Sequence, residues 1–325
     1  MAQSLSTQII QILEVPSEIG AGTRGASLGI EAMKLAALNK GSDFFLQYPP
    51  RIIHADNHIL HEPIDHPFAK GIEHIVSLYE RVSTEVAATV THNPFTILLA
   101  GDHSIAGGTI AGVKRAYPEK RLGVIWIDAH ADLHSPYTTP SGNVHGMPLA
   151  TAIAEDNLDL KVNDIDAETE SYWEQLKSIG EISPKVDPRD LVLIAVRDTE
   201  FQEDFLKEKH QIKNYSVAEF RERGVNEIVE EARRKLSDCD LIYVSFDVDS
   251  MDSALSQGTG TPVSGGITNH EAMDLLGRLV QDPKVVCLEV TEVNPILDMG
   301  NRMAEMTFEI LESVVEARAG VAASL

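Results

Sequence analysis

Cysteine is nearly absent from this chain, with only Cys239 and Cys287 in 325 residues. That count excludes a disulfide framework, and the apolar runs beside both thiols predict that they are buried and reduced. Also missing is any apolar stretch of roughly 18 residues, the length needed to span a bilayer. The opening MAQSLSTQIIQILEVP lacks the basic and long apolar segments of a secretory leader, so a cytoplasmic protein is expected. Cations are scarce: 27 Lys and Arg face 50 Asp and Glu, for a net charge of −23. Nucleic acid and anionic membrane both require a basic patch, so neither is expected as a partner. A small cationic substrate suits the field of such a chain. No Pro/Gly/Ser linker and no internal repeat divides the sequence, and one domain over residues 1–325 is expected. An α/β unit of that length buries a large core without an external staple.

Short apolar, β-branched runs alternate with segments of helical period. Strands are expected at 8–13, 51–55, 95–100, 123–128, 191–196, 241–247 and 285–290. Helices are expected at 28–38, 70–90, 104–117, 171–179, 225–237, 269–281 and 302–317. Strands that are apolar at consecutive positions are buried on both faces, and strands separated by helices form right-handed crossovers in a parallel sheet. The expected fold is therefore α/β, an open, mostly parallel sheet in three layers with helices on either side. The acid-rich stretch 151–189 is looser and reads as an insertion or a helical excursion.

Ligands of open parallel sheets bind beyond the carboxyl ends of the strands. Five strand candidates run into polar, acidic segments at that end: GDHS, DAHAD, RDTE, DVDSMD and TEVNP. Within DAHAD, alternation along an extended chain would turn Asp128, His130 and Asp132 to one side. Asp247 and Asp249 share a face by the same reasoning, and Asp102 and His103 occupy a turn that opens a helix. A single such Asp is commonly only a turn former or helix cap. Several carboxylates gathered at one sheet edge would repel one another without a cation, which two divalent ions would supply. Hard oxygen donors with a minority of imidazole favour manganese over zinc, with other divalent metals open.

With GDHS (101–104), DAHAD (128–132), SGNVHG (141–146), SFDVD (245–249), GTGTPVSGGIT (258–268) and EVNP (292–295) in this order, the chain resembles the ureohydrolase (arginase/agmatinase) family, and arginase most closely. The resemblance implies two Mn2+ ions held by His103, Asp128, His130, Asp132, Asp247 and Asp249. It implies an arginase/deacetylase-like fold and a homo-oligomer, trimer or hexamer. The implied reaction is hydrolysis of L-arginine to L-ornithine and urea by a hydroxide bridging the two ions. Glu292 would hold the guanidinium, Asp132 would take the water's proton, His145 would shuttle protons, and Thr261 would place a hydroxyl near the substrate. Ser141, Asn143 and His134 would meet the α-carboxylate, and Glu200 and Glu203 the α-ammonium. His134 stands where arginases usually carry Asn, and Glu200 where they carry Asp.

Competing expectations share parts of this picture. Agmatinase, formimidoylglutamase or another guanidino-compound hydrolase would keep the metal core and change the specificity loops. A deacetylase of related fold normally binds one zinc, against which the second Asp pair argues. A catalytically silent metal-binding regulator would be expected to lack a ligand, and none of the six is missing.

Overall fold

Apolar side chains at every position of a strand need cover on both faces, and the fold supplies it. In the computed structural model, which describes residues 10–93 and 95–322, eight strands build one sheet. They are β1 (Ile10–Val15), β2 (Arg51–Ile52), β3 (Phe95–Ala100), β4 (Leu122–Ile127), β5 (Leu191–Ile194), β6 (Lys213–Tyr215), β7 (Leu241–Asp247) and β8 (Val285–Thr291). Their order is β2-β1-β3-β8-β7-β4-β5-β6, and every ladder is parallel.

Alternation along β3 sends Phe95, Ile97 and Leu99 to one core and Leu98 and Ala100 to the other. β4 does the same, with Ile125 and Ile127 opposite Val124 and Trp126. The first core is closed by α1 (Gly29–Asn39), then by α9, α10 and α11 further along the chain, which are Val225–Lys235, Asn269–Leu279 and Arg302–Ala322. The second is closed by α3 (Ile72–Val90), α4 (Ile105–Ala116), α5 (Pro148–Ile153) and α6 (Ala167–Ser178). The shorter helices α2 (Phe44–Gln47), α7 (Phe201–Lys209) and α8 (Val217–Arg223) lie between these. Each fully buried Leu, Ile or Phe contributes about 1.5–3 kcal/mol of transfer free energy, so two cores on one sheet stabilise it from both sides. Both thiols are buried and free, as expected. Among the described residues no helix is long and apolar enough to cross a membrane.

The central strands fall where the apolar runs predict, and the sheet edges differ. The first strand begins at Ile10, and residues 8 and 9 of the expected run lie outside the described residues. The expected strand 51–55 contracts to Arg51–Ile52, two exposed residues paired only with β1 at the sheet edge. β6 is a short, partly polar edge strand without an apolar run to announce it. The stretch 151–189 is docked: Trp173 and Leu176 of α6 enter the second core, and the Trp173 Nε1 donates to Asp156 Oδ1 at 2.7 Å.

The five acid-bearing strand ends belong to five neighbouring strands, β3-β8-β7-β4-β5. The chain passes from β3 to β4 with β8 and β7 inserted between them, and this gap in connectivity opens a crevice at their carboxyl ends. Gly101, just beyond β3, lets the chain pass close to a neighbouring segment. A Cβ there would sit 2.0 Å from the Ser17 carbonyl oxygen.

Candidate metal centre and catalytic cleft

His103 enters the crevice from the turn between β3 and α4. Its Nδ1 is faced by Asp128 Oδ2 at 3.0 Å, Asp132 Oδ2 at 3.1 Å and Asp247 Oδ2 at 3.1 Å. Its Nε2 lies 2.7 Å from Ser245 Oγ, and its ring stacks on Trp126 with centroids 4.0 Å apart. These contacts leave the imidazole one orientation, with Nδ1 turned into the carboxylates. His130 Nδ1 lies 3.0 Å from Asp249 Oδ2 and 3.4 Å from Asp128 Oδ1. Two donor groups result, His103–Asp128–Asp132 and Asp128–His130–Asp249, each with its ligand atoms within 4.8 Å of one another. Asp128 belongs to both.

DAHAD reaches this arrangement differently from the simple alternation expected. β4 stops at Ile127, and Asp128 Oδ1 accepts the His130 N–H at 2.7 Å, so the chain turns at once. Asp132 then adopts a left-handed backbone, φ 50°, as does Glu292 at φ 67°. Non-glycine residues in that region cost of order 1 kcal/mol and concentrate where a side chain must be aimed. Turning, more than extension, brings the three side chains together.

The donors fit divalent ions. His103 Nδ1 and Asp128 Oδ2 are buried and make no hydrogen bond of acceptable geometry, although 3.0 Å apart. Burial, the largest influence on every group here, opposes charge. It pushes Asp247 well above the usual carboxylate range, aided by the charges of Asp249 and Asp128, and Asp249 up to about 6. Burial opposes charge on His103 too, yet the carboxylates of Asp128, Asp132 and Asp247 crowded around Nδ1 hold its protonation well above the ordinary imidazole range. Each charge is thus held at a neighbour's expense, the conflict that a cation relieves.

Glu292 closes one wall. Its Oε1 accepts the His103 N–H at 2.9 Å and lies 3.1 Å from His145 Nδ1. Burial would raise the Glu292 pKa, but the bonds from His145 and the His103 amide lower it below the usual carboxylate value. Burial likewise opposes charge on His145, and the bond to Glu292 outweighs it, taking the imidazole up to about 9. Thr261 Oγ1 donates to Asp249 Oδ2 at 3.0 Å.

A cavity of about 260 Å³ joins these parts, lined among others by His103, His130, Asp132, Asp247, Asp249 and Thr261. His134, Ser141, Asn143, His145, Glu200 and Glu203 line it too, while Asp128 and Glu292 lie behind the lining. Both ring nitrogens of His134 are engaged, Nδ1 with Thr138 Oγ1 at 3.1 Å and Nε2 with Glu200 Oε2 at 3.0 Å. That bond brings Glu200 down to about 2, while burial pushes Glu203 up to about 7. Glu203 also serves the start of α7, accepting the Glu200 N–H at 3.2 Å and the Leu133 N–H at 3.1 Å.

The chain matches the family model described as "Arginase family" over residues 8–316. It belongs to the arginase family. The arginase of Bacillus caldovelox is 34% identical over 310 residues, covering 94% of this chain and 97% of that protein. A crystal structure of arginase from Bacillus subtilis superposes with a TM-score of 0.80 at 31% identity, over 95% of this chain and 98% of that one. An Entamoeba histolytica arginase in complex with L-ornithine gives a TM-score of 0.78 at 26% identity, covering 96% and 98%. The chain is thus an arginase-type ureohydrolase.

Several residues of this site escape motif reading. Ser245 lies inside the SFDVD motif and Trp126 inside the expected strand 123–128, but only the fold reveals that they clamp the His103 ring. Asp198, lining the cleft and 3.8 Å from His130 Nε2, stands in the RDTE segment beside Glu200. Arg197 donates to the carbonyls of Asp249 and Val263 at 3.0 and 2.8 Å, pinning the Thr261 loop to the Asp249 turn. Asp102, singled out with His103, has a supporting part: its carboxylate accepts the Gly20 and Ser104 N–H groups at 3.1 and 2.8 Å.

Proposed function

We propose that this chain hydrolyses L-arginine to L-ornithine and urea, using two manganese ions held around Asp128. The observation that carries this reading is the pair of His/Asp donor groups sharing Asp128 at a cleft that the SGN loop lines, with Glu292 bonded to the lining residues His103 and His145. His103, Asp128, Asp132 and Asp247 would hold one ion, and Asp128, His130 and Asp249 the other. Bound there, the ions supply a water activated near neutral pH and polarise the group under attack. Oxygen-dominated donors support manganese over zinc.

The residues divide the remaining work. Glu292, kept ionised by His145 and the His103 amide, accepts the guanidinium N–H groups and holds the carbon beside the activated water; a carboxylate matches that planar fork. Asp132 Oδ2 takes the proton that the attacking water loses. His145 carries it toward solvent or returns it to the leaving amine, being linked to Glu292 on one side and lining the cleft on the other. Thr261 steadies Asp249. At the distal end Ser141 and Asn143 read the α-carboxylate, and Glu200 and Glu203 the α-ammonium. His134 reaches a carboxylate only by giving up Glu200. That engagement favours a carboxylate-free compound such as agmatine as the second reading.

Residues 1–325 form one catalytic domain in this account, cytoplasmic and assembled as a homo-oligomer. Urea and ornithine appearing one-for-one from L-arginine with the manganese-loaded protein, and lost in Asp132→Ala, would support it. Turnover of agmatine or formimidoylglutamate in place of L-arginine would move the substrate assignment and keep the metal chemistry.

A further inference from the structure

We infer that Lys70 is a specificity-determining positioning residue, acting through Asn143 to make the cleft read a carboxylate. This rests on the proposed arginine-hydrolysing function and adds a residue that none of the site motifs contains. Lys70 does not line the catalytic cleft. It lines a neighbouring cavity of about 280 Å³, and Asn143 is the residue common to the two walls. Lys70 Nζ donates to Asn143 Oδ1 at 3.1 Å. An ammonium has donors only, so it can face the oxygen of a carboxamide and not its N–H2 group. The bond therefore settles which way the amide lies, leaving Nδ2 and its two hydrogens on the other side. Nδ2 packs against Gly22, where a Cβ would meet it at 2.4 Å, so the glycine is what admits the amide in this orientation at the wall between the two cavities.

The backbone carries the same link. Lys70 N–H donates to the Gly142 carbonyl at 2.8 Å, and Gly142, at φ 74°, packs so tightly that a Cβ would lie 1.9 Å from the Pro67 carbonyl oxygen. The SGN loop thus rests on the segment before α3 through a backbone bond and a side-chain bond to one residue. Among the described residues, Lys70 has no carboxylate at ion-pair distance, so its charge is not spent elsewhere in a chain of net charge −23. His134 meanwhile has both ring nitrogens engaged. With that position occupied, carboxylate recognition falls to Ser141 and Asn143, and Lys70 supplies the positive charge behind them.

The test compares wild type, Lys70→Met, Lys70→Arg and Asn143→Asp in the manganese-loaded enzyme, with L-arginine and agmatine as substrates. L-Ornithine and putrescine serve as equilibrium ligands. In Lys70→Met the KM for L-arginine should rise about tenfold, the size of one lost hydrogen-bond contribution, with kcat held within a factor of about three. The ratio of kcat/KM for L-arginine to that for agmatine should fall by a similar factor, and ornithine should weaken relative to putrescine. Lys70→Arg, also a pure donor, should recover part of the loss. Asn143→Asp keeps a partner for Lys70 but loses the donor, so it should show the same selectivity loss even if Lys70→Met fails to fold. Equal losses on carboxylate-bearing and carboxylate-free compounds, or no change in either, would overturn the inference. A wild type inert toward L-arginine would remove the underlying function as well.

Discussion

His145 Nδ1 and Glu292 Oε1 lie 3.1 Å apart, and the same oxygen receives the backbone N–H of the metal-ligand candidate His103 at 2.9 Å. One carboxylate oxygen therefore couples the substrate-holding wall to the metal-side turn and to the proton-carrying imidazole. Glu292→Gln keeps the shape but removes the charge that a guanidinium needs. We expect kcat/KM for L-arginine to fall by about 100- to 1,000-fold, the range seen when a preorganised polar partner of the transition state is removed. Steady-state urea release checks this, with circular dichroism showing an unchanged fold.

The same pair predicts a pH dependence of stability in the metal-free protein. The His145 pKa is raised to about 9, so its contribution is complete below its unfolded value of about 6.5 and disappears as pH rises through about 9. The lowered Glu292 pKa adds a contribution present above its unfolded value of about 4.3 and lost as pH falls through the folded one. Urea denaturation of wild type and His145→Asn, in chelator, should give a stability difference that is largest near pH 5–6.5 and shrinks toward pH 9.5. A pH-independent difference would contradict the pair.

Removing bound ions should destabilise the fold. A ligand at 100 times its dissociation constant adds about 2.7 kcal/mol per site, so chelation should lower Tm by several degrees. Because Asp128 serves both donor groups, Asp128→Asn should lose most of the manganese-dependent stabilisation, and His130→Asn only part of it. Equal Tm gains with manganese in all three proteins would argue against the shared ligand.

Lys185 gives a prediction far from the site. It is 3% exposed and caps the end of α6, donating to the Lys177 and Leu176 carbonyls at 2.6 and 3.4 Å. Burial alone brings its pKa down to about 7. A base depressed on folding binds more protons when unfolded, so stability relative to Lys185→Met should rise between about pH 7 and 10.4, by roughly 1.4 kcal/mol per unit. Denaturation at pH 7, 8.5 and 10 measures the slope; a flat difference would show the ammonium stays charged.

Much of this architecture is legible in the chain because burial on both faces leaves continuous apolar strands, as in FTILLA and GVIWID, and acids stand where those strands stop. The metal-ligand candidates were readable for the same reason. Edge elements were not: Arg51–Ile52 and Lys213–Tyr215 carry no apolar run, since an edge strand needs little cover. Nor could the sequence reveal that Asp132 and Glu292 depend on left-handed backbone, a conformation that neither residue type announces. Lys70, Ser245 and Asp198 act through partners 68–142 residues away, and only the folded sheet brings them together.

The most direct test measures ion content and turnover in one sample. The purified protein is loaded with manganese, freed of excess metal, and assayed for manganese per chain and for urea from L-arginine, beside Asp128→Asn. Two ions per chain with turnover are expected in the wild type, and fewer than two with turnover lost in the variant. Full turnover with one ion, or two ions retained in Asp128→Asn, would contradict this.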